Sequence, residues 1–467
     1  MDDPEIDEWV QQEFATLDLG DERRNQRLRQ IATALNGQPS ASLPVTFGEP
    51  AALKAAYRFF DNPTSEAESI LASHLQATYE RIGKAPVVLA VQDTTYLDFS
   101  QFPSMEGLGP LTTERMQGLV MHSTLAITPE EVPLGLMQQQ VWARDADTFA
   151  QLPDHKQRPI EEKESYKWIL SLQSVIAAHQ AVPQTHLVSV GDREADIFEL
   201  FIHPRPEGVD LLIRATQDRI VVDEEARTIW DAMRRTPVAT QLVLQLPKTP
   251  NRSARTATVD VHWKKLRLHP TKRLRSQHPK PVQIWAVWVI EPNPPEGEDA
   301  VEWMLLTTVP INSTEDALER VKWYACRWGI EVWHKVLKSG CKIEERHLQD
   351  AENLKRLLSI FSVVAWKILY ATMLARAVPD EPCTIFFEQE EWQAAYCAIY
   401  RVATPPEETP TMHEAVRMVA RLGGFIGRKG DGEPGVTTVW RGFQRLHDLT
   451  MMYRILRPKG NPQDTYG

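Results

Sequence analysis

The stretch APVVLAVQDTTYLDFS, residues 85–100, is an unbroken apolar run that turns polar at Asp93. The run is too short for a helix, follows Pro86 and is rich in valine, so it reads as a buried strand that delivers Asp93 at its end. About a hundred residues on, HLVSVGDREADIFEL, residues 186–200, repeats the pattern and delivers Asp192. Between them, VMHSTLAI (120–127) and VPLGLMQQQVWA (132–143) read as two further strands joined by TPEE, a hairpin turn. EKESYKWILSLQSVIAAHQ (162–180) then reads as a helix. Three strands, a helix and another strand predict an α/β fold, a mixed sheet covered by helices. A lone Asp after a strand is usually a turn former or a helix cap, but two such strands in one sheet place both carboxylates on a shared rim.

On the C-terminal side of Asp192, residues 200–310 alternate or run apolar in VDLLIRA, VATQLVLQL, ARTATVDVHWKKLRL, PVQIWAVWVI and VEWMLLTTVP. This predicts a strand-rich sheet inserted before the next helix. That helix is expected over STEDALERVKWYACRWGIEVWHKVLKSG, capped by Ser313 or Thr314 and ended by Gly340. Tyr324, Arg327, Glu331 and Lys338 stand at offsets 0, 3, 7 and 14 within it. On one continuous helix they would share a stripe about 60° wide and about 20 Å long. A salt-bridged surface stripe would account for that pattern alone. With Glu331 facing the rim of Asp93 and Asp192, however, three carboxylates make an oxygen-only site.

Such a site suits Mg²⁺, which takes carboxylate and water oxygens, and the sequence offers no Cys or His cluster for structural zinc. Two ions about 4 Å apart activate an attacking oxygen and stabilise a leaving one at a phosphodiester. Arg327 and Lys338 would then meet a phosphate backbone, with Tyr324 placed to hydrogen-bond a phosphate oxygen.

The N-terminal and C-terminal regions read as helical. Residues 13–35 carry Leu17, Leu19, Leu28 and Ile31 among arginines, EPAALKAAYRFFDNP (49–63) is Ala-rich before a Pro stop, and helices recur in the tail from Met412. Arg23, Arg24, Arg27, Arg29, Lys54 and Arg58 are expected at exposed positions. With 467 residues the chain can bury several cores. Its net charge of −11 conceals a basic segment, since residues 246–280 hold ten Lys or Arg against one Asp. That segment reads either as a polyanion contact or as a flexible solvated loop. Four cysteines without C-x-x-C spacing point to a reducing compartment. The acidic start and the lack of a run of about 18 apolar residues argue against secretion and membrane insertion.

The chain resembles the bacterial insertion-sequence transposases of the DDE class, in the hairpin-forming, cut-and-paste group of insertion sequence four, the Tn-five-like enzymes. The resemblance rests on LGDERRNQRL, AYRFFDNP, VQDTTYLDFS, VGDREADI, WMLLTT, ARLGGF and VWRGFQRL. Its most specific element is Y-x2-R-x3-E-x6-K, met by Tyr324, Arg327, Glu331 and Lys338.

The resemblance implies a ribonuclease-H-like core whose catalytic and metal-binding triad is Asp93, Asp192 and Glu331. It implies two Mg²⁺ per active site, with Mn²⁺ able to substitute. Residues 1–78 would form a helical domain that binds the DNA end, 79–385 the catalytic domain with the insertion at about 200–310, and 386–467 a dimerisation and DNA-contact domain. Trp303 would stack on a base flipped from the transposon end. Tyr324, Arg327, Lys335, Lys338, Arg58, Arg27 and Arg214 would be further DNA contacts. The implied partners are double-stranded DNA with terminal inverted repeats, target DNA, and a second copy of the chain in a synaptic complex, in the bacterial cytoplasm and on the nucleoid, with no membrane. Gly329 stands where relatives can carry a basic residue. Two alternatives remain open: a ribonuclease-H-like nuclease without strand transfer, and a non-catalytic DNA-binding repressor.

Overall fold

The computed structural model describes residues 6–149, 158–246 and 255–457. Five helices lead: α1 (Glu8–Glu13), α2 (Glu22–Gly37), α3 (Leu43–Phe47), α4 (Pro50–Phe60) and α5 (Ala67–Ile82). Asp21 caps α2 by accepting the Arg23 N–H, and Leu28, Ile31 and Leu35 bury one face of it. Pro50 starts α4, where its missing N–H costs nothing.

The sheet begins with β1 (Val87–Asp98), β2 (Gly109–Pro110), β3 (Gln117–Ile127) and β4 (Pro133–Trp142). After α6 (Ala146–Phe149) and α7 (Tyr166–Ala181) come β5 (His186–Gly191), α8 (Phe198–Ile202), β6 (Val209–Arg214), α9 (Ile229–Arg235), β7 (Thr240–Leu246), β8 (Arg255–Leu268), β9 (Val282–Ile290) and β10 (Glu302–Thr307). β1 pairs antiparallel with β3 and parallel with β5, and β5 pairs parallel with β6. A hairpin meander leading into parallel strands is a ribonuclease-H-like core. Both of its faces are buried: Leu89 and Val91 of β1 join one apolar cluster, while Val88 and Ala90 join the other.

Two expectations change here. The strand-rich block is not a separate sheet, because β10 pairs with β6 and β9, and the strands run β2-β3-β1-β5-β6-β10-β9-β8-β7 with β4 on β3. Pairing β10 onto β6 closes an edge that would otherwise expose a row of unpaired N–H and C=O groups. The block also holds α9, which is too short to leave a clear period. Second, Asp93 does not end its strand. The hairpin with β3 carries β1 on to the pair Asp98↔Gly118 after its pairing with β5 has stopped.

The helical pattern resumes in α10 (Thr314–Ala325), α11 (Trp328–Lys335), α12 (Ala351–Ala377), α13 (Gln389–Tyr400), α14 (Met412–Leu422) and α15 (Val436–Leu456). Ser313 caps α10 in a reciprocal box with Asp316. The expected single helix to Gly340 is interrupted twice. At Cys326–Arg327 the bonds tighten to i→i+3, with Arg327 N–H donating to Tyr324 O at 3.1 Å and Ile330 N–H to Arg327 O at 3.2 Å. Val336–Gly340 then forms a π turn, closed by Cys341 N–H on Val336 O at 2.8 Å. The wider turn moves Lys338 off the straight stripe, and such turns recur at functional sites.

Helix α12 is long and apolar enough to cross a membrane by length and composition, although Lys367 interrupts its apolar run, and 89% of its most apolar window is buried. It is a core helix, packed against α2, α4, α5, β4, α14 and α15.

Several cations of the basic segment are already paired within the fold. Arg255 pairs with Glu291, Lys264 with Asp223 and Arg273 with Glu199. Residues 255–268 are strand rather than solvated loop. Lys248 and Arg252 lie outside the described residues.

Candidate active site

The rim is set by strand register. The last pair between β1 and β5 is Val91↔Val190, and two residues further along each strand stand Asp93 and Asp192. Adjacent strands lie about 4.8 Å apart, so the two carboxylates emerge side by side. Asp192 accepts the Glu194 N–H at 2.9 Å. Burial pushes its pKa above the usual carboxylate range; the Glu194 N–H opposes that and the charge of Asp93 adds to it.

Helix α11 brings Glu331 to the same rim. Burial raises its pKa, Arg327 pulls the other way, and Asp93 again adds to the rise. Asp192 and Glu331 therefore each lie within the field of Asp93. Arg327 is hydrogen-bonded to Glu331 and its Nη1 lies 3.6 Å from Asp93 Oδ1. Among the described residues, no group of three or more His, Cys, Asp or Glu converges closely enough to hold a metal ion. The guanidinium lies between two of the carboxylates instead.

His334, one turn beyond Glu331, places Nδ1 3.6 Å from Asp93 Oδ2 and is buried. Sequence reading missed it, although its i+3 spacing from Glu331 put it on the correct face. Arg193 was missed as well. It follows Asp192 directly and is exposed, close enough to Arg214 for their charges to interact.

The other expected residues divide into two groups. Lys338 donates to Tyr96 O and pairs with Glu344 at 3.2 Å, so it braces the end of β1. Tyr324 is not open to solvent: it is only 5% exposed and packs edge-to-face on Trp303, with ring centroids 5.5 Å apart. Trp303 is half-buried on β10, and burial raises the pKa of the tyrosine hydroxyl while Arg327 and Arg214 oppose the rise. Arg214 donates to Glu302 O at 2.8 Å beside this pair. Lys335 is exposed. Gly329 faces inward, where an added Cβ would lie 2.6 Å from Ile127 Cδ1, so a basic side chain there would have to displace that methyl group.

Arg58 and Arg27 sit apart from the rim, on α4 and α2. Arg58 and Lys54 are exposed one turn apart. The neighbouring arginines are already engaged, Arg23 with Asp21, Arg29 with Glu22 and Arg24 with Thr64.

Residues 6–65, which span α1–α4, match the transposase DNA-binding family. Residues 363–458, from within α12 through α15, match the transposase Tn5 dimerisation domain. The rim residues lie between these two segments. Two segments of the chain are thus similar to transposase domains, one to a DNA-binding domain and one to the Tn5 dimerisation domain.

Proposed function

We propose that the chain is a cut-and-paste transposase of the insertion-sequence-four type, which cleaves DNA at transposon ends, closes and hydrolytically reopens a hairpin on each transposon end and transfers the freed ends to target DNA, with Asp93, Asp192 and Glu331 as its catalytic triad. The observation that carries this reading is the rim: two aspartates on neighbouring parallel strands and a helix-borne glutamate, framed by Arg327, Arg214 and Arg193, in a chain that also has DNA-binding and dimerisation domains.

The donor chemistry fits hard divalent cations. Asp192 and Glu331 are both raised by burial and by the Asp93 charge, as expected of a carboxylate cluster that a cation would relieve. Asp93, Asp192 and Glu331 would hold Mg²⁺, two per site, or Mn²⁺; the bound ions would supply activation of the attacking oxygen and stabilisation of the leaving one. The chain's own cations take the phosphate charge: Arg327 beside Glu331, Arg214 beside Tyr324, and Arg193, Lys335 and Lys338 around them. Trp303 offers an aromatic face to a base flipped out of the end duplex, in exchange for its present packing on Tyr324.

Action as a pair of chains is supported by the end of α15, where Met451, Met452, Ile455 and Leu456 are 51–73% exposed, an apolar surface of the kind that partners cover. The four free cysteines favour a reducing compartment such as the bacterial cytoplasm.

The test is Asp93→Asn, Asp192→Asn and Glu331→Gln on duplexes bearing the inverted repeats that flank the coding region. Each variant should lose Mg²⁺-dependent nicking while keeping end binding in gel retardation. Nicking retained in all three would reject the triad.

A further inference from the structure

Arg327 is placed unusually for a residue whose only task is to hold a phosphate. It sits at the junction between α10 and α11, where the i→i+3 bonds turn its side chain back over the first turn of α11. The guanidinium bonds Glu331 with one nitrogen and lies 3.6 Å from Asp93 Oδ1 with the other, and the side chain is only 15% exposed. That second nitrogen, Nη1, is buried without a hydrogen-bond partner. A charged donor left unsatisfied in a buried site is costly, so that nitrogen is held by the charge of Asp93 rather than by a hydrogen bond, while Nη2 bonds Glu331.

We infer that Arg327 and a divalent cation compete for Asp93 and Glu331, so that the guanidinium is a built-in counter-ion which must leave before the carboxylates can close around metal. This rests on the proposed carboxylate–metal reading. Both cations neutralise the same oxygens, and occupancy by one excludes the other. A phosphate drawn to Arg327 relieves that competition, which couples nucleic-acid binding to metal binding. The coupling is reciprocal: whatever factor DNA adds to metal affinity, metal adds to DNA affinity. In a nuclease that meets metal constantly, such a lock keeps the rim closed until a backbone is in place.

The experiment titrates the full-length protein with Mn²⁺ alone and measures free Mn²⁺ by electron paramagnetic resonance, with no nucleic acid and no turnover. Arg327→Ala and the size-conserving Arg327→Gln should each bind Mn²⁺ about tenfold more tightly than the parent, within the usual range of coupling between sites. Asp93→Asn should bind much more weakly. Equal or weaker Mn²⁺ binding in both Arg327 variants, with unchanged melting temperatures and with Asp93→Asn still defective, would overturn the competition and leave the triad standing. Parent-like Mn²⁺ binding by Asp93→Asn would overturn the carboxylate reading and the competition with it.

Discussion

Glu13 is the best place to measure how firmly the N-terminal helices are fixed to the sheet. It lies in α1, 3% exposed, and accepts from His74 Nδ1 at 2.5 Å and from both Arg81 terminal nitrogens at 3.0 Å. The other face of this group reaches β4: the Leu136 N–H donates to His74 Nε2 at 2.9 Å and Arg81 Nε donates to Leu134 O. Since Nε2 accepts, Nδ1 carries the imidazole proton, and burial keeps the ring neutral despite the pull of Glu13. Burial by itself would raise the Glu13 carboxyl, but the hydrogen bond from His74 and the charge and hydrogen bonds of Arg81 prevail and lower it to about 2.

A carboxyl lowered on folding stabilises the native state above its unfolded pKa, and that stability is lost as pH falls from about 4.5 through about 2. At about 1.4 kcal/mol per unit, the depression from 4.5 to about 2 corresponds to about 3.5 kcal/mol, in line with the cost of breaking one side of a buried ion pair. Glu13→Gln leaves Arg81 facing a neutral amide in the same space. The unit nearest this joint is α1, so the loss should appear as local opening rather than as a single global transition. Hydrogen exchange at neutral pH, followed by mass spectrometry on peptides covering α1, should speed up about three-hundredfold, the exponential of that energy. At a pH near 2 the parent and variant should converge. A change below about threefold at neutral pH would refute the account, because it would mean the joint is held by apolar packing around Trp366, which lies against the tilted His74 ring and under the Arg81 guanidinium.

Two further outcomes are expected. Trp303→Ala should slow hairpin closure on precleaved ends by about 5- to 150-fold, the equivalent of about 1–3 kcal/mol of base stacking, with much less effect on first-strand nicking; Trp303→Phe should recover part of it, and equal losses at both steps would instead mean that the tryptophan serves mainly to pack Tyr324. Lys335→Gln and Lys338→Gln should each lower the slope of log affinity against log salt for end DNA by about 0.9, read by fluorescence anisotropy across a salt series, and an unchanged slope would remove that lysine from the phosphate contacts.

Local pattern determined a good deal of this protein. The β1 and β5 apolar runs, the hairpin between β3 and β4, the Ser313 cap and the strand content of residues 200–310 were all legible, because each depends on residues within a turn or a strand length of one another. So was the recurrence of Asp after an apolar run, the signal that led to the rim. What depends on partners far away in the chain was decided only by the tertiary structure. The inserted strands join the core sheet because β10 closes on β6, and the basic β8 is neutralised by Glu291 and Asp223, neither of which is its sequence neighbour. Helix α12 carries a membrane-like composition because other helices and β4 surround it. Most of the site's detail belongs to this second kind. A straight helical projection puts Arg327, Glu331 and Lys338 on one outward stripe, whereas the break at Arg327 and the π turn aim the arginine at Asp93 and the lysine at the end of β1. Periodicity records which face of an element is apolar; it holds no record of where a helix yields to the sheet it packs on, and that yielding sets which charge meets which carboxylate.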